Sequence, residues 1–236
     1  MTGTEALAAL LAAADPSAIA ALAAYHKVDR RYLGLSVPRI EALTDQWRAD
    51  CTLDQRIALA DALWTSNIHE ARVAAAKLLT QARIRPDDSA AWDLIVSWVP
   101  QFDAWAIADH VAIAGQKRLV ADPSRIDTVE GWTTDEKMWT RRAALVMTLP
   151  WAKMNNPKEP DLAIRDRVLT WAAGYVGDKD WFMQKVVAWW LRDLSKHDGL
   201  RARRFLAEHG HVMKSWSRKE AAKYLDQAVQ APAELE

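Results

Sequence analysis

FMQKVVAWWLRDL, residues 182–194, places Met183, Val187, Trp190 and Leu194 at steps of 4, 3 and 4. That is the period of an α-helix with one buried stripe. Trp189 falls on a neighbouring face, with Lys185 one turn before it and Arg192 one turn after. The same period recurs along nearly the whole chain, glycine is scarce at 8 of 236 residues, and no stretch alternates as a β-strand does. The reading is an all-α protein. The periodicity predicts helices over 4–14, 16–26, 38–49, 53–65, 68–82, 88–98, 101–119, 123–131, 135–150, 160–176, 179–195, 199–207 and 217–229. Ser217 and Glu220 form an expected capping box for the last.

Working outward, the segment belongs to a weak internal echo. Trp64-TSNIHEARVAAAKLL, Trp132-TTDEKMWTRRAALVM and Tyr175-VGDKDWFMQKVVAWWL each set an aromatic, a short polar connection, and a helix carrying a basic or amide residue before small or β-branched ones. The last two begin 43 residues apart. This spacing suits a HEAT-like repeat, so the expected architecture is one domain over 1–236, a solenoid of helix pairs with a concave binding face.

FDAWAIADH, residues 102–110, raises a different question. Phe102, Trp105, Asp109 and Ile113 follow at steps of 3, 4 and 4, which reads as an apolar stripe interrupted by a carboxylate. A carboxylate facing apolar neighbours needs a cation, hydrogen bonds or a chemical task. Arg142 shows the converse, on a stripe of Trp139, Arg142, Val146 and Leu149. Asp109 and Arg142 are therefore candidates either for a site or for a buried ion pair locking two helices. An indole flanked by Lys185 and Arg192 suits a nucleic-acid strand, cations to phosphate and aromatic surface to sugar or base. Equally, Trp189 is one of 13 tryptophans available to fill gaps between helices.

Composition bounds these readings. Basic and acidic side chains number 31 each, so only local clusters of Arg and Lys can attract a polyanion. Such clusters include Arg30, Arg31 and Arg39, then Arg141 and Arg142, and a run from Arg201 to Lys223. Cys51 is the only cysteine, which excludes a disulfide framework, and His209-x-His211 lacks the spacing of a helical zinc pair. No metal or organic cofactor is expected. The alanine-rich start carries Glu5 and Asp15, and no run approaches the ~20 apolar residues of a membrane span. A cytoplasmic monomer is the expectation.

The segments YHKVDRRYLGLSVPRIEAL (25–43), WAIAD (105–109), WTRRAALVM (139–147), WFMQKVVAWWLRDLS (181–195) and SWSRKEAAKYL (215–225), in that order, resemble the AlkD-type DNA alkylation-repair glycosylases. The resemblance implies helical HEAT-like repeats acting on duplex DNA that carries a purine alkylated at N3 or N7. It carries function to Asp109 as the catalytic anion, to Trp105, Trp189 and Tyr25 as contacts to the lesion's sugar and phosphate, and to Arg142 as a phosphate anchor. Arg141, Lys185 and Arg192 are further phosphate candidates. It also implies a groove without a deep base pocket. The competing reading is a non-enzymatic HEAT-like module that binds DNA structures or a protein.

Overall fold

A computed structural model describes residues 1–225, and these pack as two compact units, Met1–Pro123 and the part that begins at Ser124. The first holds α1 (Gly3–Ala12), α2 (Ile19–His26), α3 (Val37–Asp50), α4 (Leu53–Thr65), α5 (His69–Leu79), α6 (Ser89–Trp98) and α7 (Trp105–Ala121). The second holds α8 (Ile126–Gly131), α9 (Met138–Met147), α10 (Leu149–Lys153), α11 (Glu159–Tyr175), α12 (Trp181–His197), α13 (Gly199–His209) and α14 (Ser215–Ala221). The chain is all-α, with no strand among the described residues beyond an isolated bridge between Arg31 and Ile68.

Each unit is organised round one inner helix. In the first it is α5, which packs against α1, α3, α4 and α7. Its sequence, HEARVAAAKLL, is buried at every position except Lys77, and its alanines let neighbours approach on all sides. In the second it is α12, which meets α9, α10, α11, α13 and α14. The stripe of Met183, Val187, Trp190 and Leu194 is buried as its spacing predicts.

The internal echo has a physical basis. In α5, the Arg72 Nε donates to the carbonyl of Trp64 at 3.2 Å, and its guanidinium lies 4.4 Å from the Trp64 ring centre. In α12, the Gln184 Nε2 donates to the carbonyl of Asp178 at 2.7 Å, while in α9 the Arg141 Nη1 donates to that of Asp135 at the same distance. Each basic or amide residue reaches back from its helix to a carbonyl at the end of the preceding helix or in the connection that follows it.

A second staple accounts for the LGL segment. The buried Glu70 carboxylate accepts the backbone N–H groups of Leu33, Gly34 and Leu35 at 2.9, 2.9 and 3.3 Å. Gly34 has φ +81°, and a Cβ there would stand 2.0 Å from the Asp15 carbonyl oxygen, so this turn requires glycine.

Three expectations are corrected. The helix expected over 135–150 is two, because Pro150 cannot continue the hydrogen-bonding of α9 and instead sits in the first turn of α10. The helix expected from residue 101 starts at Trp105, after a 3₁₀ turn over Val99–Gln101 and an extended Phe102. Finally, α14 begins at Ser215 with Lys214 as its cap. Ser217 instead donates to the Gln184 carbonyl and Glu220 accepts from Arg192, so the expected capping box is not formed. The expected helix residues 226–229 lie outside the described residues.

Candidate functional site

In the first unit, α2 ends at His26 with Tyr25 65% exposed, and α7 begins with a half-buried Trp105. Their rings meet edge to face, centroids 5.5 Å apart and planes at 88°. The pair borders a cleft of about 300 Å³ whose lining includes His26, His69 and His110. The His26 and His69 rings are 4.2 Å apart. Burial pushes the His69 imidazole down to about 3 and that of His110 to about 4, so both are neutral at neutral pH and do not repel a cationic ligand.

Asp109 lies one turn beyond Trp105 and is half-buried. The supposed apolar stripe is not the core face of α7. Phe102 precedes the helix, Ile113 is 38% exposed, and the core face comprises Ile107, Val111 and Ala114 instead. Asp109 thus stands half-buried with Trp105 on the open side of α7, away from that core face. The segment leading into α7 is pinned by a 2.5 Å ion pair between Arg30 and Asp103, and Arg30 also donates to Asn67. Arg30 is therefore committed to structure, whereas Arg31 and Arg39 are exposed.

In the second unit, Trp181, Lys185, Trp189 and Arg192 of α12 line a cleft of about 550 Å³ with Trp216 and Glu220 of α14. Trp189 is half-buried at its wall, and the Lys153 ammonium lies 5.9 Å from its ring centre. Lys185 is exposed, its ammonium 4.7 Å from the Trp181 ring centre. Arg192 is more committed than its position on the stripe suggests. Its Nη1 donates to Glu220 at 2.6 Å, and Nε and Nη2 both donate to Asp193 at 3.2 Å.

Arg142 is 2% exposed, and its Nη1 donates to the Phe182 carbonyl at 3.0 Å. A side chain so enclosed offers a phosphate little surface; in its unit it ties α9 to the first turn of α12. Arg141 holds two carbonyls, those of Asp135 and Glu136. Exposed cationic charge near the aromatics thus rests chiefly with Lys185 and Lys153.

The family resemblance named Tyr25 and Trp105 as contacts to the lesion without pairing them, and helical spacing put Lys185, Trp189 and Arg192 on one face. It assigned no role to Trp181, which continues that face one turn before Lys185, nor to Trp216, which stands in the SWS segment. The histidine lining of the first cleft was also missed, because its members come from three separate helices. Among the described residues no cluster of His, Cys, Asp and Glu suits a metal ion, and no helix is long and apolar enough to cross a membrane.

Inner helices that reach back to the chain before them, each with one or more residues lining an aromatic cleft, define a helical-repeat protein. The chain belongs to the family described as DNA alkylation repair enzyme, whose pattern it matches over residues 6–225. Its fold is shared with a predicted DNA alkylation repair enzyme from Enterococcus faecalis at 21% identity, TM-score 0.75, covering 90% of this chain and 96% of that one. It is also shared with AlkD2 from Streptococcus mutans at 17% identity, TM-score 0.58, covering 84% and 92%. No curated protein matches the sequence.

Proposed function

We propose that the protein is a DNA glycosylase that hydrolyses the N-glycosidic bond of purines alkylated at N3 or N7 in duplex DNA, acting as a single functional domain and as a monomer. The observation that carries this reading is Asp109 standing one turn from Trp105 on the open side of α7, in a chain of the DNA alkylation repair family.

Alkylation at N3 or N7 makes the base cationic, so it departs as a neutral purine with the electron pair of the glycosidic bond. Positive charge develops on the deoxyribose, and water adds at the anomeric carbon and gives up one proton to solvent. An anion fixed in place serves this step better than an acid, because the leaving group is already activated. Asp109 supplies that anion and aligns the water. Tyr25, Trp105 and Trp189 contact the sugar and phosphate edge of the lesion. Lys185 takes a phosphate directly, and Arg192 and Arg141, both engaged within the fold, serve as secondary phosphate contacts. Arg142 acts one step removed, by holding the first turn of α12 through the Phe182 carbonyl.

One observation favours a second reading, a non-enzymatic helical-repeat module. Arg192 is already satisfied by Glu220 and Asp193, which reduces the positive charge facing a ligand. Incubation with a duplex containing 7-methylguanine separates the two. Released base supports the glycosylase, and binding without release supports the module.

A further inference from the structure

The cleft of the second unit carries more aromatic surface than the proposed contact to sugar and phosphate requires. Trp181 is 51% exposed and Trp216 38% exposed, although both are large and apolar. Their ring centroids are 6.2 Å apart and their planes inclined by 31°. They face the same 550 Å³ space as Trp189, within the size range of small-ligand sites. Little is gained for the fold by leaving two indoles half in water, so a ligand that covers them recovers apolar burial.

We propose that this cleft binds an unpaired nucleotide, its base stacked on Trp181 and Trp216 and its phosphate on Lys185. The inference extends the DNA-directed reading above.

Charge selects this occupant. Lys153, Lys185 and Arg192 stand against two carboxylates, Asp193 and Glu220, and both carboxylates are engaged with Arg192. Lys153 lies 3.4 Å from Asp193, whereas Lys185 makes no ion pair among the described residues and lies over Trp181. An ammonium with no carboxylate partner, set beside two exposed indoles, suits a flat ring that carries an anion. Strand pairing matters too. A duplex presents its bases only by their edges in the grooves, so the ring faces have nothing to stack on until a base is unpaired. The site therefore recognises a base left without its partner, or one in a single-stranded stretch. It makes no demand on the damaged base.

The test compares two fluorescein-labelled hexanucleotides, oligo-dT and an abasic analogue with the same phosphates, by anisotropy at fixed salt. The oligo-dT should bind at least about tenfold more tightly, the effect of stacking one base. The double variant Trp181→Ala/Trp216→Ala should lose that preference, and Phe at both positions should restore most of it. Lys185→Ala should weaken both oligomers alike. Equal affinity of the parent for the two oligomers, as expected of a cleft that receives a protein segment, would overturn the proposal. So would a preference that survives in the double Ala variant. Excision from duplex DNA, assayed on the same preparations, reports separately on the glycosylase. A parent that excises without preferring oligo-dT refutes only the stacking site, and one that prefers oligo-dT without excising refutes only the glycosylase.

Discussion

Tyr25 at the end of α2 and Trp105 at the start of α7 meet edge to face at 5.5 Å, so two separate helix termini build one aromatic wall. Because Tyr25 is 65% exposed, Tyr25→Ala should leave thermal stability within about 0.5 kcal/mol. Trp105→Ala should weaken binding to lesion-bearing duplex by about tenfold or more, the worth of one aromatic contact. Anisotropy titrations with unfolding curves check both, and a Trp105→Ala protein that binds as the parent does would remove the wall from the site.

Arg142 and Lys185 should separate into structure and binding. Arg142→Ala removes the hydrogen bond to the Phe182 carbonyl and leaves a buried gap, which should cost about 1–3 kcal/mol in denaturant unfolding. Lys185→Ala should leave stability nearly unchanged and lower the salt dependence of duplex binding by about one phosphate contact. Equal stability of the two variants would contradict this division.

Glu70 is the buried anchor of the LGL turn. Glu70→Ala leaves three backbone donors without their acceptor, so destabilisation of about 3 kcal/mol or more is expected. Chemical denaturation measures it, and a loss below 1 kcal/mol would mean that water replaces the carboxylate.

His69 and His110 give the first unit a pH response of definite sign. Their folded values, about 3 and about 4, lie below the ordinary 6.5, so the unfolded chain takes up protons first as pH falls. Their contribution to stability is complete above about pH 6.5 and is lost progressively down to about pH 3–4. Arg30, Lys77 and His26 also disfavour protonation there, while Glu41 favours it at His110. The unfolding midpoint should drop between pH 7 and 4.5, less steeply in His69→Phe than in the parent. Identical slopes would contradict the assignment.

What was legible in the sequence follows from periodicity. Met183, Val187, Trp190 and Leu194 could be read as core because twelve residues of one helix repeat a single spacing without interruption. Asp109 was set on the right element and on the wrong kind of face, because Phe102, which seemed to extend its stripe, precedes the helix and Ile113, which continues it, is exposed. Arg142 and Arg192 were legible as cations near aromatics. Their partners, the Phe182 carbonyl and the Glu220 and Asp193 carboxylates, come largely from other elements, which spacing within one helix cannot reveal. The histidine cleft escaped for the same reason.

The central claim is that the Asp109 charge stabilises a cationic sugar, and single-turnover excision of 7-methylguanine from duplex DNA tests it most directly. Asp109→Asn keeps the shape and removes the charge, so with DNA saturating the rate should fall by about 10²–10³, equivalent to roughly 3–4 kcal/mol. Duplex affinity should hold or rise, because an anion has left the neighbourhood of phosphates. A variant that excises as fast as the parent would contradict the account.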